Sequence, residues 1–554
     1  MAAFSSSSSL VAPHFFDQVL AHGDRPALVD RDANASWSYT QLLTQALQLA
    51  DSIRQATPAT DGPAPRVAYL GTRGPSYVVM QWATWLAGGV AVPLHAAHPL
   101  EELQYIVDDS DAAVLMVSED LLPTLQDRPS SIQALVHGLQ TEGKRAVLKV
   151  AKPSMMSTGA DSDAEEAAVR EWLSTCAFDR TGAHIVYTSG TTGRPKGVVT
   201  THAGLTAQIH DVVSAWEMTH NDHLLHFLPL HHVHGILNNL LCVHYAGGSV
   251  EFIPSAKPSV IWPKLAEAST KERKVTMLMA VPTVYMNLLE DIEHHQHEAE
   301  APYDVKAAID SARGLRVAIS GSMACPVSIL SRWESLTGLR LLERYGMTEL
   351  GMALTNPLRG ERHLGYVGRP FPSVSVRLVD PETESEIDIK TEEEGELRVK
   401  GPSVFKEYWR KPEATAKEFD VDGWFKTGDV VQYSVEKDSF RIRGRASADI
   451  IKSGGYKISA LDIERVVLTH PQVLECAVFG IADEKWGQIV SAVLRTRDGK
   501  DVQTLTPPLP GFLKEHLADY RVPRKYFVVD EIPKNAMGKV NKKALAMIYG
   551  APKP

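Results

Sequence analysis

Apolar runs rich in β-forming residues, RVAYL, AAVLMV, HIVYT, LLHFLPL, SVEFIP, VTMLMAV and LRVAIS, alternate with helical patterns through most of the first 400 residues. Strands apolar along their whole length are buried on both faces, and such strands need helices on either side. The alternation therefore predicts βαβ units and largely parallel sheets. From Gly365 the pattern changes to short strands separated by turns, VGRPFPSVSVRLVD, GELRVKG and FRIRGR, which predicts a small β-barrel-like part. After Arg445 comes a compact stretch with the loop SGGYKIS, a helix opening near Ser459, the strand LECAVFGIA and a basic tail. Its size suits an independent domain, and 554 residues exceed what one apolar core usually supports. The expected class is α/β, with a large domain over residues 1–445 and a smaller α+β domain over 446–554.

Charge and local composition narrow the function classes. With 57 basic and 67 acidic residues the net charge is −10, which argues against a nucleic-acid partner. The most apolar stretch, Tyr77 to Leu94, is interrupted by Gln81, Gly88, Gly89 and Pro93. It is expected to be a buried helix, a glycine turn and a short core strand, since a membrane span needs about 20 apolar residues. MAAFSSSSSLVAPHFF lacks the regions of a secretory signal and the arginines of a transit peptide, and APKP matches no C-terminal address. With four scattered cysteines that form no ligand spacing, the expected compartment is the cytoplasm. Two polar segments, 152–166 and roughly 290–310, are expected as surface loops. His294, His295 and His297 in the second are expected to be solvated, without an ordered carboxylate partner.

YTSGTTGRPKG, from Tyr187 to Gly197, follows the strand HIVYT. Gly190 and Gly193 allow the backbone to aim successive N–H groups at one anion. Thr188, Ser189, Thr191 and Thr192 add hydroxyls, and Lys196 adds a compact positive charge. The collection suits a polyphosphate, although the spacing is not that of a Walker A loop.

This loop resembles the phosphate-loop signature of the adenylate-forming superfamily, which includes acyl-CoA synthetases, peptide-synthetase adenylation domains and luciferase-type enzymes. Further segments match in the same order, from about residue 15 to 545. The resemblance implies ATP, Mg²⁺ and coenzyme A as ligands of a carboxylate–CoA ligase whose small domain is mobile. In ERYGMTELGM, spanning Glu343, Arg344, Tyr345, Gly346 and Met347, it implies that Tyr345 stacks on adenine, Thr348 touches the α-phosphate and Glu349 holds Mg²⁺. Gly321 and Ser322 in SGSMACP resemble the adenine-side loop. Asp429 in WFKTGD and Arg445 in RIRGR resemble the ribose contacts. Lys452 resembles an AMP contact, and Gly454 and Gly455 the loop lining the pantetheine tunnel. Lys539 in PKNAMGKVNKK is implied to be the lysine of the adenylation step; Lys542 and Lys543 are expected to be a solvated basic tail or CoA-phosphate contacts. The hinge is expected near Ser447 and Ala448, where GRASAD has one residue more than the family pattern.

LLERYGMTE, GPSVFKEYW, ADIIKSGGYKISALDIE and KNAMGKVNKKAL are most similar to the malonyl-CoA synthetase branch. That similarity implies His232 and His234, in LPLHHVHGILN, beside an acyl pocket, with a small carboxylic or dicarboxylic acid as partner. Gly247 falls where malonate enzymes carry an arginine. A desolvated second carboxylate needs a cationic partner, so longer di- or tricarboxylates, a medium-chain fatty acid, or loading of a carrier protein stay open.

Overall fold

A computed structural model describes residues 13–57, 63–124, 131–142, 145–153, 162–176, 181–188, 194–268, 274–298, 300–454, 456–534 and 539–550. In a seven-stranded sheet, Arg66–Leu70 runs parallel to Val90–Pro93 on one side and to Val114–Ser118 on the other, with Ala146–Val150 at the edge. The other half continues to Gly182–Thr188 and closes on two antiparallel strands, Lys196–Thr201 and Glu407–Tyr408. A nine-stranded sheet carries six parallel strands in its middle, from Leu342–Met347 through His223–His226 to Pro26–Asp30. Antiparallel strands close both its edges. The parallel alternation expected from the apolar runs is thus present, and only the margins depart from it.

Tyr77 to Leu94 folds as read. The helix Pro75–Leu86 is buried along its whole length, Gly88 turns with φ +77°, and Val90–Pro93 enters the sheet. Trp82 and Trp85 on this helix meet Phe15 and Phe16 edge-on. Truncating either indole would cost about 3–5 kcal/mol. Among the described residues no helix is long and apolar enough to cross a membrane.

The expected loop over 290–310 is largely helical: Pro282–His295 ends inside it and Val305–Arg313 begins there, capped by Asp304. Likewise the helix Ser162–Thr175 starts within the first polar segment. Charged residues on an exposed helix face look like a loop when apolar positions are sparse. His294 and His295 do have a carboxylate partner, Glu298, one turn on.

After Gly365 a five-stranded antiparallel sheet takes the place of the barrel-like part, its last strands being Phe425–Ser434 and Ser439–Arg445. A second five-stranded sheet follows, built on the long hairpin Val473–Asp483 and Gly487–Thr496. Its helix Ala460–Val467 opens at Ser459 as expected from the sequence, and the Ser459 side chain caps it by accepting from the Asp462 amide. Buried apolar residues from Ile451 onward form their own clusters. Among the described residues no such cluster includes members from both sides of 445–450.

Candidate active site

The strands Gly182–Thr188 and Lys196–Thr201 pair with Tyr187 opposite Gly197 and Thr188 opposite Lys196. They form the two legs of the glycine- and hydroxyl-rich loop. Ser189, Gly190, Thr191, Thr192 and Gly193 themselves lie outside the described residues, as does Gly455. At the foot of the loop the Lys196 ammonium sits 4.0 Å over the ring of Tyr408 and 3.7 Å from Glu418 Oε1. The Tyr408 hydroxyl donates to Glu349 Oε1 at 2.8 Å. This bond fixes one oxygen of a half-buried carboxylate and leaves the other for a hard cation such as Mg²⁺. Thr348 lies beside it in the turn after the strand Leu342–Met347.

In that strand side chains alternate between faces. Tyr345 and Glu343 take one face and Arg344 the other. The Tyr345 hydroxyl donates to Asp429 Oδ2 at 2.6 Å, while Arg445 Nε donates to Asp429 Oδ1 at 3.1 Å. Asp429 and Arg445 are direct cross-strand partners in the third sheet, so sheet register alone brings the two expected ribose contacts together. Burial first, then Asp429, pushes the Tyr345 phenol well up. Glu343 is turned toward the Gly365 amide at 3.3 Å, and burial raises its carboxyl to about 7 against the pull of Arg465. Gly346 is required, because a Cβ there would lie 1.9 Å from the Gly351 carbonyl oxygen. Met347 is half-buried at the end of the strand.

Lys539 enters this assembly from the far end of the chain. Burial, then the positive fields of Arg445 and Arg344, hold its pKa below the ordinary lysine value, with Asp429 and Glu349 opposing. Those residues belong to three strands and a turn of the N-terminal part, and all four charges act on this one lysine. Its charge also reaches His232, which burial first and then Lys539 lower to about 4.

Arg344, which acts on Lys539, belongs to a second cluster of buried polar groups. Arg344 is buried, and its Nε and Nη2 have no hydrogen-bond partner. Gly321 leaves room for it, since a Cβ there would fall 2.5 Å from the guanidinium carbon. His234 Nδ1 pairs with Ser322 Oγ at 3.2 Å, leaving His234 Nε2 buried without a partner. Ser322 is held at φ +71°, a left-handed conformation that costs a non-glycine residue about 1–3 kcal/mol and is typical of functional turns. Burial, then Arg344, keeps the His234 imidazole neutral. Buried donors without partners suit a carboxylate. The residues after His234 form a π-helix, His234–Leu241, an irregularity common at functional sites. Gly235 permits the turn before it, because a Cβ there would strike the Pro229 carbonyl oxygen at 2.2 Å.

Gly247 does not join this cluster. It lies at the opposite end of the helical stretch from His234 to Tyr245, at φ +79°, where a Cβ would meet the His22 ring at 2.7 Å. No side chain is accommodated there, so its lack of an arginine says nothing about the acid. Lys452 and Gly454 are exposed on the small-domain sheet; Gly454 turns at φ +58° and donates its amide to the Trp486 carbonyl.

Lys542 also differs from its expectation. It is buried between Asp449 at 2.5 Å and Glu464 at 2.7 Å, which raise its pKa despite desolvation. Asp449 in turn accepts the Arg445 amide at 2.9 Å. Tyr408, Asp449 and Glu464 went unassigned in the sequence. Tyr408 lies in the FKEYW segment, where its aromatic type was the available signal; the acidic pair gave none, because their partner is about 80–90 positions away.

Comparison with known proteins identifies the family. The family model described as AMP-binding enzyme matches residues 15–409, and the AMP-binding enzyme C-terminal domain matches residues 462–539. The human mitochondrial malonate–CoA ligase is 40% identical over 550 residues, covering 96% of this chain and 91% of the relative. The ATP-bound structure of MatB from Rhodopseudomonas palustris has a TM-score of 0.80 at 29% identity, covering 97% of this chain and 99% of that one. A malonyl-CoA ligase product complex with methylmalonyl-CoA and AMP has a TM-score of 0.61 at 32% identity, covering 93% and 98%. The chain belongs to the AMP-binding enzyme family, with the domains of that family matched on both sides of residue 445.

Proposed function

We propose that the chain is an AMP-forming carboxylate–CoA ligase acting on malonate or a similarly short dicarboxylic acid. In the first step a carboxylate oxygen of the acid attacks the α-phosphorus of ATP and pyrophosphate leaves. In the second, the CoA sulfur attacks the acyl carbon, AMP leaves and the thiol proton is lost to solvent.

The observation that carries this reading is Lys539 among Arg344, Glu349, Asp429 and Arg445. Two anions must meet in the first step, and a preorganised cation where charge accumulates lowers that barrier. Asp429 and Arg445 offer a ribose-binding pair, Tyr345 an aromatic face beside it, Lys196 a phosphate cation and Glu349 a donor for Mg²⁺, which when bound screens the triphosphate. The unpartnered donors of Arg344 and His234 support a second carboxylate on the acid. The boundary is assigned between a domain of residues 1–445 and one of 446–554. The higher similarity to the ATP-bound relative than to the CoA product complex fits a first-step arrangement, with Gly454 turned out until the small domain rotates.

Lys539→Ala is expected to abolish acid-dependent pyrophosphate release and leave ATP binding measurable. Turnover at the wild-type rate defeats the assignment. A screen of AMP release with CoA across malonate, methylmalonate, longer di- and tricarboxylates and fatty acids identifies the acid, and preference for a fatty acid defeats the dicarboxylate reading. A cytoplasmic location is also assigned, since all four cysteines are free, as in a reducing compartment, although the human relative is named mitochondrial. Import of the tagged full-length chain into mitochondria overturns it.

A further inference from the structure

His95 and His98 occupy the turn that leaves the strand Val90–Pro93 of the seven-stranded sheet, closed by the His98 amide donating to the His95 carbonyl at 3.0 Å. His231 comes from the loop after His223–His226 of the nine-stranded sheet. The rings meet where the two sheets approach: His95 lies 4.3 Å and His98 5.0 Å from His231 by centroid, and they lie 5.2 Å from each other. One nitrogen from each of the three falls within 4.8 Å of the others. The rings are inclined at 36°, 83° and 61°, so they surround a point and do not stack.

From this geometry we propose that His95, His98 and His231 form a binding site for a divalent transition metal of borderline softness, with Zn²⁺ the best fit. Imidazole suits such ions, and tetrahedral zinc takes three histidines plus water at about 2.0–2.1 Å per bond. Nitrogens that share one zinc lie about 3.4 Å apart, so modest rotations about χ1 and χ2 close the set. Glu102 Oε1, one turn on, lies 3.5 Å from His98 Nδ1, which has no hydrogen-bond partner here; a slightly closer approach would give the carboxylate–histidine relation that orients zinc ligands. His95 and His98 are only partly buried, which leaves a way in for the ion, whereas His231 is buried with Nδ1 unpartnered.

The facing charged and titratable groups are His232, Glu102 and Arg73. Imidazole binds metal in its unprotonated form, and Arg73 faces both His95 and His231. Arg73 also weakens the attraction for a cation, but its guanidinium is drawn to the Pro254 carbonyl at 2.8 Å and Glu102 offsets it. The His231 ring lies 3.9 Å from that of His232, so a bound ion stiffens the wall of the acid pocket. The three histidines do not include Glu349, the residue assigned to Mg²⁺, and lie outside the roles proposed above.

The test uses the full chain without a histidine tag, stripped with chelator and dialysed against Zn²⁺, with Co²⁺ as the spectroscopic probe. One equivalent bound, with the visible spectrum of four-coordinate cobalt, is expected. His98→Ala should lose that equivalent, and Glu102→Gln should weaken it about 10–100-fold. The double variant His294→Ala, His295→Ala removes the other histidine pair, near Glu298, and should bind normally. No bound equivalent, or binding unaltered in both His98→Ala and Glu102→Gln, overturns the proposal; so does loss in the His294, His295 variant alone.

Discussion

Arg344 stands on the face of its strand opposite Tyr345, and burial lowers its pKa only to about 10, so it remains a cation with two open donors. Arg344→Met is expected to reduce kcat/KM for malonate by about 3–5 kcal/mol, on the order of a hundredfold or more. A monocarboxylate of the same length should lose far less. Equal losses for both acids would mean that Arg344 serves the reacting carboxylate instead. Most of the residues gathered around Lys539 were legible as residue types in motifs: Tyr345, Glu349, Asp429 and Arg445 all meet there. What the motif could not convey is direction. ERYGMTE reads as one contiguous nucleotide segment, yet strand alternation sends Glu343 toward Gly365 and Arg344 toward His234. Gly247 misled for a related reason: an aligned position carries no information about which end of a helix it occupies.

At the scale of elements, the helix Ala460–Val467 is tied across the 445–450 divide between the hydrophobic clusters. Asp462 pairs with Arg441 at 3.0 Å and Arg443 at 2.5 Å, both on the strand Ser439–Arg445, and Ser459 donates its hydroxyl to the Arg443 carbonyl at 2.5 Å. The pairing of this strand skips Arg443, the extra residue of a β-bulge, and a bulge re-aims the side chains around it. If the small domain rotates about 445–449, these pairs must break, and they favour the arrangement with Lys539 docked. Asp462→Asn should therefore slow ATP–pyrophosphate exchange by about tenfold while sparing transfer of preformed acyl-AMP to CoA. A matched decline in both half-reactions would count against this latch. The parallel strands and the helix starting at Ser459 were visible in apolar runs and a cap. The Asp449–Lys542–Glu464 set was not, because a lysine doublet at a helix start is solvated in most chains and its burial here depends on long-range packing.

Across the whole molecule many histidines are buried in neutral form. Burial lowers His184 to about 4, and His226 and His244 to about 3. In the unfolded chain each would titrate near 6.5. Between that value and the folded one the unfolded state binds more protons, so stability falls as the pH drops through the window from 6.5 toward 4. Each histidine contributes up to about 1.4 kcal/mol per pH unit. The urea midpoint should accordingly be clearly lower at pH 5.5 than at 7.5, and a flat profile would show that these imidazoles are solvated. The unmatched donors of Arg344 and His234 act on the same balance from the ligand side. An anion that binds to them adds about 2.7 kcal/mol at a hundredfold excess over its Kd. Proteolytic survival then rises and falls with the supply of the acid, making the amount of this protein in a cell a slow gauge of its own metabolite.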